Sequence, residues 1–212
     1  MSSLGAAVRK SLGRYERPVS DLYRSVFINL EDLAANIRDW SQPKRILEIG
    51  CGEGALAELV VRDFPEAEYL GIDIISHLGR MYVGPQDKVE FRQVTAEYLA
   101  NELPGKFDLI LINDVMHHVP EALRLGLLAA AKDLLAPEGA LIFKDWVRRP
   151  SPIHALCYVA DVYVGGDKSV RYMPMDEQRN MLSEVFGNGS IIAEANIRPW
   201  NHNQSFLVRP VQ

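Results

Sequence analysis

The stretch Ile46-Leu47-Glu48-Ile49-Gly50-Cys51-Gly52-Glu53-Gly54-Ala55 decides the fold. The short apolar run at its start reads as a buried strand. Three glycines follow at alternate positions, and Ala55 opens a pattern with helical spacing. The local reading is therefore strand, tight turn, helix N-terminus. Glycine lets the backbone turn with positive φ and lets a ligand approach the main chain closely. The helix beyond offers unpaired N–H groups and a positive dipole end. Such a stretch is a nucleotide-type ligand site.

Outward from this stretch, strands and helices alternate. The helix from Ala55 to Val61 breaks at Phe64-Pro65. A strand over Glu68–Ile72 ends at Asp73, and a short helix is predicted over Ser76–Tyr82. Val89–Val94 alternates like a strand, and Ala96–Ala100 reads as a short helix. Lys106–Ile112 is a strongly apolar strand. A helix over Glu121–Leu135 is stopped by Pro137-Glu138-Gly139, and Ala140–Lys144 is the next strand. Repeated β-α units with apolar strands imply a parallel sheet covered on both faces. Upstream, residues 1–17 read as a loose helical arm and 19–40 as a helix. Downstream, 146–173 interrupts the alternation with a helical piece and a Gly165-Gly166-Asp167 turn. Then come a helix over Met175–Phe186 and strands over Ser190–Ile197 and Ser205–Arg209, a candidate antiparallel pair. The expectation is one domain: an N-terminal helical segment at 1–43, a ligand-binding core at 44–145, a cap insertion at 146–173, and a C-terminal helix and final strands at 174–212. Ligands bind outside the carboxyl ends of strands in open α/β sheets, so 146–173 is the natural lid.

Composition narrows the function. The hydrophobic share of 48% supports a large core, and the net charge of −5 argues against a non-specific nucleic-acid binder, which carries a basic stripe. Cys51 and Cys157 suggest no disulfide framework, which fits a reducing compartment. The first residues lack the apolar segment of a signal peptide, and no apolar run reaches membrane-spanning length. A cytoplasmic protein without membrane insertion is expected; a homodimer is compatible with the sequence.

The glycine loop also fits the dinucleotide pattern, and Asp73 is placed for ribose hydroxyls with either kind of cofactor. Glu48 and Glu53 argue for one of them. Two carboxylates would repel a pyrophosphate at this helix end, whereas S-adenosylmethionine brings an ammonium and a sulfonium that carboxylates favour.

On these residues the chain resembles the class I S-adenosylmethionine-dependent methyltransferases, which are Rossmann-like. Ile46 to Gly54 looks like their motif I, and Asp73, ending Tyr69-Leu70-Gly71-Ile72-Asp73, like their acidic ribose residue. Val94-Thr95-Ala96-Glu97 sits where the family contacts adenine. Asn113-Asp114-Val115-Met116-His117-His118-Val119 resembles the segment after the fourth strand, and Leu134 to Ala140 the turn before the fifth. The matches run in order over about residues 44–145. The resemblance implies a doubly wound α/β sheet of seven strands with the last antiparallel. It also implies S-adenosylmethionine as cofactor, with contacts from Glu48, Gly50, Cys51, Gly52, Gly54, Asp73, Ile74, Thr95, Ala96, Glu97, Asn113 and Asp114. The proline pair that often marks methylation of nucleobase amino groups is missing after Asn113-Asp114, which disfavours a nucleic-acid substrate.

Methyl transfer from a sulfonium needs alignment and, for a hydroxyl acceptor, a positioned base. His117 and His118 follow the fourth strand, where the methyl group should point. Asp145 ends the fifth and could act as base or orienting carboxylate. In the cap, Ser151-Pro152 reads as N-cap and N1, and His154, Tyr158 and Asp161 fall at i, i+4 and i+7 on one polar face. Ile153, Cys157, Ala160 and Val164 would form the opposite, core face. His202 reads as a surface loop residue. The catalytic candidates are thus His117, His118, Asp145 and His154. No metal site is expected, because the adjacent histidines have no i, i+4 partner. The leading function is O-methylation of a small-molecule hydroxyl. N- or carboxyl-methylation, a nicotinamide-dependent oxidoreductase and a non-catalytic binding module are the alternatives.

Overall fold

The computed structural model describes residues 25–211. The expected arm at 1–17 and the first residues of the 19–40 helix lie outside the described residues. The remainder of that helix is interrupted: Asn29 adopts an extended conformation and its side chain accepts the Asp32 N–H at 3.1 Å, so helix α1 begins at Leu30 and runs Leu30–Trp40. Asparagine favours such a cap because its short side chain replaces a missing backbone partner.

The following elements are β1 (Arg45–Ile49), α2 (Ala55–Asp63), β2 (Glu68–Asp73), β3 (Val89–Gln93), α3 (Ala96–Glu102), β4 (Phe107–Asn113), α4 (Glu121–Leu134), β5 (Leu135–Trp146), α5 (Pro152–Val159), α6 (Met175–Phe186), β6 (Ile191–Asn196) and β7 (Asn203–Val208). They form one seven-stranded sheet in the order β3-β2-β1-β4-β5-β7-β6. Strands β1 to β5 pair with one another in parallel, and β7 is antiparallel to both β5 and β6.

Alternation along the central strands divides the core. Leu47, Ile49, Ile110 and Ile112 face one layer with Leu128, Leu134, Leu182 and Phe186 of α4 and α6. Ile46, Leu109, Leu111 and Ile142 face the other, with Leu33 and Ile37 of α1 and Leu56 and Val60 of α2. Each such side chain stabilises the fold by about 1.5–3 kcal/mol on burial. The order reverses between β1 and β4, which puts the topological switch point, where ligands bind in such sheets, at their carboxyl ends.

Two elements differ from the sequence expectation. Residues 76–82 form turns, not a helix. Their N–H groups are drawn elsewhere: Gly79 N donates to Gly52 O and Met81 N to Glu53 O, each at 2.9 Å. Strand β5 begins nine residues before Lys144, at Leu135, which pairs with Phe107. The helix-stopping Pro137 lies in a register shift of the strand, with Pro137 and Glu138 exposed.

The segment between β5 and α6 follows the carboxyl end of β5. Its two ends are held together where Arg148 N donates to Met173 O at 2.9 Å. Helix α5 continues into a wide π-type turn at Ala160–Gly165. Among the described residues no helix is long and apolar enough to cross a membrane.

Candidate functional site

The glycine loop is tied to the end of β2. Gly50 N and Cys51 N both donate to Ile72 O, at 2.8 and 3.1 Å. Gly52 N donates to Asp73 Oδ2 at 2.8 Å, while Asp73 Oδ1 accepts from Ile74 N and Ile75 N at 2.7 and 3.2 Å. Two glycines have distinct reasons to be there. At Gly50, with φ +78°, an added Cβ would sit 2.3 Å from Val115 Cγ2, so only glycine lets the turn after β4 approach. At Gly52, with φ +52°, a Cβ would meet nothing, so this backbone face is open to a ligand. Ala55 begins α2 with Gly54 as an N-cap that provides no side-chain bond, leaving N–H groups of the first turn available.

Glu48 is buried on β1 and accepts a short hydrogen bond from the Tyr69 hydroxyl. Burial pushes its carboxyl up to about 8, against the Tyr69 bond, so it is largely protonated at neutral pH. Glu53 is paired with Arg80 at 2.8 Å. The repulsion that these two carboxylates were expected to exert on a pyrophosphate is thus much reduced in the folded chain. Among the other expected cofactor contacts, Ile74 is exposed beside Asp73, Thr95 caps α3 by accepting Tyr98 N at 3.2 Å, Ala96 is buried, and Glu97 is exposed. Cys51 is buried, and burial raises its thiol far above the ordinary range. Asn113 ends β4 with a buried Oδ1 that has no partner.

Asp114 takes a left-handed backbone with φ +54°. Both its carboxylate oxygens accept from Lys144 Nζ, at 2.7 and 2.6 Å, and Lys144 is 1% exposed. Lys144 was not among the sequence candidates. Its signal was a single lysine closing the apolar run Ala140-Leu141-Ile142-Phe143, where a solvated role is hard to satisfy.

The turn Met116–His118 after β4 carries the histidines. His117 is buried, and its Nδ1 makes a short hydrogen bond with Asp145 Oδ1. His117 N donates to Asp145 Oδ2 at 3.1 Å and Trp146 N to Oδ1 at 2.7 Å, so the carboxylate is held from three sides. Burial opposes charge on His117, but the attraction and hydrogen bond of Asp145 outweigh it, and the net direction is upward. Burial would raise Asp145, yet His117 and Lys144 hold it below its ordinary value. The imidazole stacks on Tyr172 with ring centres 4.9 Å apart, and its Nε2 lies 3.9 Å from Asp161 Oδ2. Arg124 is a second residue the sequence reading missed. Its Nη2 donates to Arg171 O at 3.0 Å, and Arg171 N donates to His117 O at 2.9 Å, which steadies the turn.

His118 points to the surface and its Nδ1 pairs with Asp167 Oδ2 at 2.7 Å. His154 accepts from Trp146 Nε1 at 3.0 Å and touches edge-on the Tyr172 ring on which His117 stacks. Burial and the neighbouring His202 and Arg148 lower its basicity. The expected core face holds, with Cys157 and Ala160 buried and Ile153 packed against Trp146, Cys157 and Tyr172, but the expected polar face divides. His154, Cys157 and Asp161 turn inward together, while Tyr158 is exposed with Leu156 and Val159. The reason is tertiary: Asp161 accepts from the buried Tyr172 hydroxyl and His154 from Trp146 Nε1, whereas Tyr158 remains exposed. His202 is also corrected. It is buried, stacked on Trp146 at 4.9 Å, with Ser151 Oγ 2.7 Å from its Nε2.

A family model described as a methyltransferase domain matches residues 21–203. The chain belongs to the methyltransferase domain family. Among curated relatives of this methyltransferase is a ubiquinone biosynthesis O-methyltransferase of Acinetobacter baumannii, 33% identical over 112 residues, which are 50% of this chain and 46% of that protein. The Pseudomonas putida protein of the same name is 32% identical over 127 residues, 57% of this chain and 52% of that one. The chain spans about half the length of the curated relatives it matches. Among solved structures, the mitomycin 7-O-methyltransferase MmcR aligns with TM-score 0.69 at 17% identity, over 96% of this chain and 60% of that one. Human N-acetylserotonin methyltransferase in complex with SAM aligns with TM-score 0.67 at 16% identity, over 87% and 52%. These structures share the fold.

Proposed function

We propose that this methyltransferase transfers the methyl group of S-adenosylmethionine to a hydroxyl of a small molecule, with His117 as general base. The observation that carries the reading is the buried Asp145–His117 pair at the carboxyl edge of the sheet. Family membership and the O-methyltransferase names of the relatives support it.

The residues at the crevice fit the cofactor. Gly52 presents an open backbone face, the first turn of α2 offers N–H groups, and Asp73 has lone pairs left for ribose hydroxyls. Asn113 has an unused buried acceptor for an ammonium. Glu48, Gly50, Cys51, Gly54, Ile74, Thr95, Ala96, Glu97 and Asp114 complete the expected surround. When bound, S-adenosylmethionine would supply an electrophilic methyl carbon for the acceptor oxygen, with its sulfur as the leaving group. His117 Nε2 takes the proton from the acceptor hydroxyl. Asp145 fixes the tautomer with the proton on Nδ1, which leaves the Nε2 lone pair free, and then stabilises the imidazolium. His118, Asp145 and His154 have no role as proton acceptor in this reading: His118 is turned to Asp167, Asp145 orients, and His154 is engaged by Trp146.

The test has two stages. S-adenosylhomocysteine is expected to raise the melting temperature and NAD to leave it unchanged; stabilisation by NAD alone would end the reading. With labelled S-adenosylmethionine and a panel of phenols and alcohols, His117→Asn is expected to lose at least about 100-fold in kcat while binding S-adenosylhomocysteine normally. Methyl transfer to amines or carboxylates with no loss in that variant would refute the hydroxyl assignment.

A further inference from the structure

We propose that His117, His118 and Asp161 form a binding site for a divalent transition-metal ion of the Zn²⁺ class, joining the cap to the turn after β4. Each of the three offers one ligand atom, and these atoms lie within 4.8 Å of one another. Two imidazoles and a carboxylate are a ligand set that suits zinc and its neighbours, with a fourth position open.

The surroundings of the three residues are also those of a metal site. Metal-binding histidines hold their second ring nitrogen against a carboxylate, which sets the tautomer and the ring direction. Both histidines have this arrangement. His117 Nδ1 is held by Asp145, itself fixed by two backbone N–H groups. His118 Nδ1 is held by Asp167 at 2.7 Å, and Asp167 Oδ1 in turn accepts from Ser169 N and Oγ at 2.8 and 2.6 Å. With both Nδ1 atoms occupied, Nε2 is the free donor on each ring. The third ligand, Asp161, is steadied by the Tyr172 hydroxyl. A bound zinc would bring its donors to about 3.4 Å from one another, given bonds near 2.0–2.1 Å. His117 Nε2 and Asp161 Oδ2 already lie 3.9 Å apart, and the His118 ring, 41% exposed, can turn about its contact with Asp167 to approach them. The neighbouring set Asp114, His117 and Asp145 is a poorer choice. The Lys144 ammonium already stands between the oxygens of Asp114, and His117 Nδ1 and Asp145 are bonded to each other.

An ion here occupies the His117 lone pair that the function proposed above assigns to the acceptor proton. On the function proposed above, the ion therefore inhibits methyl transfer.

The test uses the untagged full chain, stripped with EDTA and titrated with Zn²⁺ by calorimetry and with Co²⁺ by visible absorption. One ion per chain and a four-coordinate Co²⁺ spectrum are expected. His118→Ala, at a surface position, should weaken Zn²⁺ binding at least about 100-fold, and Asp167→Asn about 10–100-fold. Asp161→Asn should weaken it comparably, with its melting temperature measured alongside because Asp161 also holds Tyr172. His77→Ala, at an exposed histidine in the turn after β2 and outside the three-ligand set, should bind as the parent chain does. No saturable binding, or equal affinity in His118→Ala and the parent, would overturn the site. Methyl transfer that rises with Zn²⁺ occupancy would overturn the inhibition. These binding measurements need no acceptor, so failure to find any methyl transfer would bear on the proposed function alone.

Discussion

Glu48→Gln tests whether the carboxyl beneath the glycine loop is neutral in the folded chain. Burial raises it from the ordinary 4.5 to about 8. Between these values the folded chain holds a proton that the unfolded chain has released, so stability falls as pH rises. The slope is about 1.4 kcal/mol per pH unit, and the loss begins near the unfolded value and levels off above the folded one. From about pH 5 to about pH 8 this one group costs the native chain roughly 3.5 kcal/mol. Glutamine has nearly the same shape and cannot ionise, so Glu48→Gln lacks that slope. All other titrating groups are common to both chains and cancel in the difference. Urea unfolding of both chains across this range gives that difference directly. At the acidic end Glu48→Gln is expected to be equal to the parent or less stable, because its amide adds a donor beside the Tyr69 hydroxyl. With rising pH it should gain steadily, by roughly 3.5 kcal/mol in all. A difference that stays flat within about 1 kcal/mol would show that Glu48 titrates as a solvated acid and that the burial argument is wrong.

Asp145→Asn should lower kcat roughly 10²–10⁴-fold, because the amide can donate to Nδ1 and place the imidazole proton on Nε2. The inflection in kcat should also move to lower pH, since burial then acts on His117 without its carboxylate; a loss under about threefold with an unmoved profile would rule out the dyad. Gly50→Ala combines a left-handed backbone with a 2.3 Å approach to Val115 and should destabilise by about 2–4 kcal/mol in urea. Gly52→Ala meets open space, so it should cost about 1–2 kcal/mol yet weaken S-adenosylhomocysteine binding in calorimetry; equal stability losses would contradict the distinction. Lys144→Met strands Asp114, whose side chain remains 31% exposed, and should cost about 2–3 kcal/mol. Adding Asp114→Asn should restore most of it, and strictly additive losses would show that the pair is not coupled.

The alternation of apolar strands and helices was legible because the central strands β1, β4 and β5 are buried on both faces and helices such as α1 and α2 show a single apolar stripe. Reading failed where long-range partners override local preference. Residues 76–82 have helical spacing, but the glycine loop takes the N–H groups of Gly79 and Met81. Pro137 looks like the start of a turn, yet the irregular pairing near Phe107 absorbs it within β5. The cap's inward stripe depended on Tyr172, which lies beyond the helix and draws Asp161 inward. His202 looked like a loop residue, and only the stack on Trp146 shows why it is buried.

The stretch from Ile46 to Ala55 determined by itself that a strand, a glycine turn and a helix N-terminus would build a ligand crevice. Those properties are local: side-chain period, conformational freedom and unpaired N–H groups. The charge state of Glu48 inside that same stretch was decided by tertiary structure, through the burial and the Tyr69 hydroxyl that β2 supplies. So was the pairing of His117 with Asp145 from the end of another strand. Protonation and hydrogen-bond partners depend on what the fold brings within a few ångströms, and residues 28 apart in sequence meet only when β4 and β5 lie side by side.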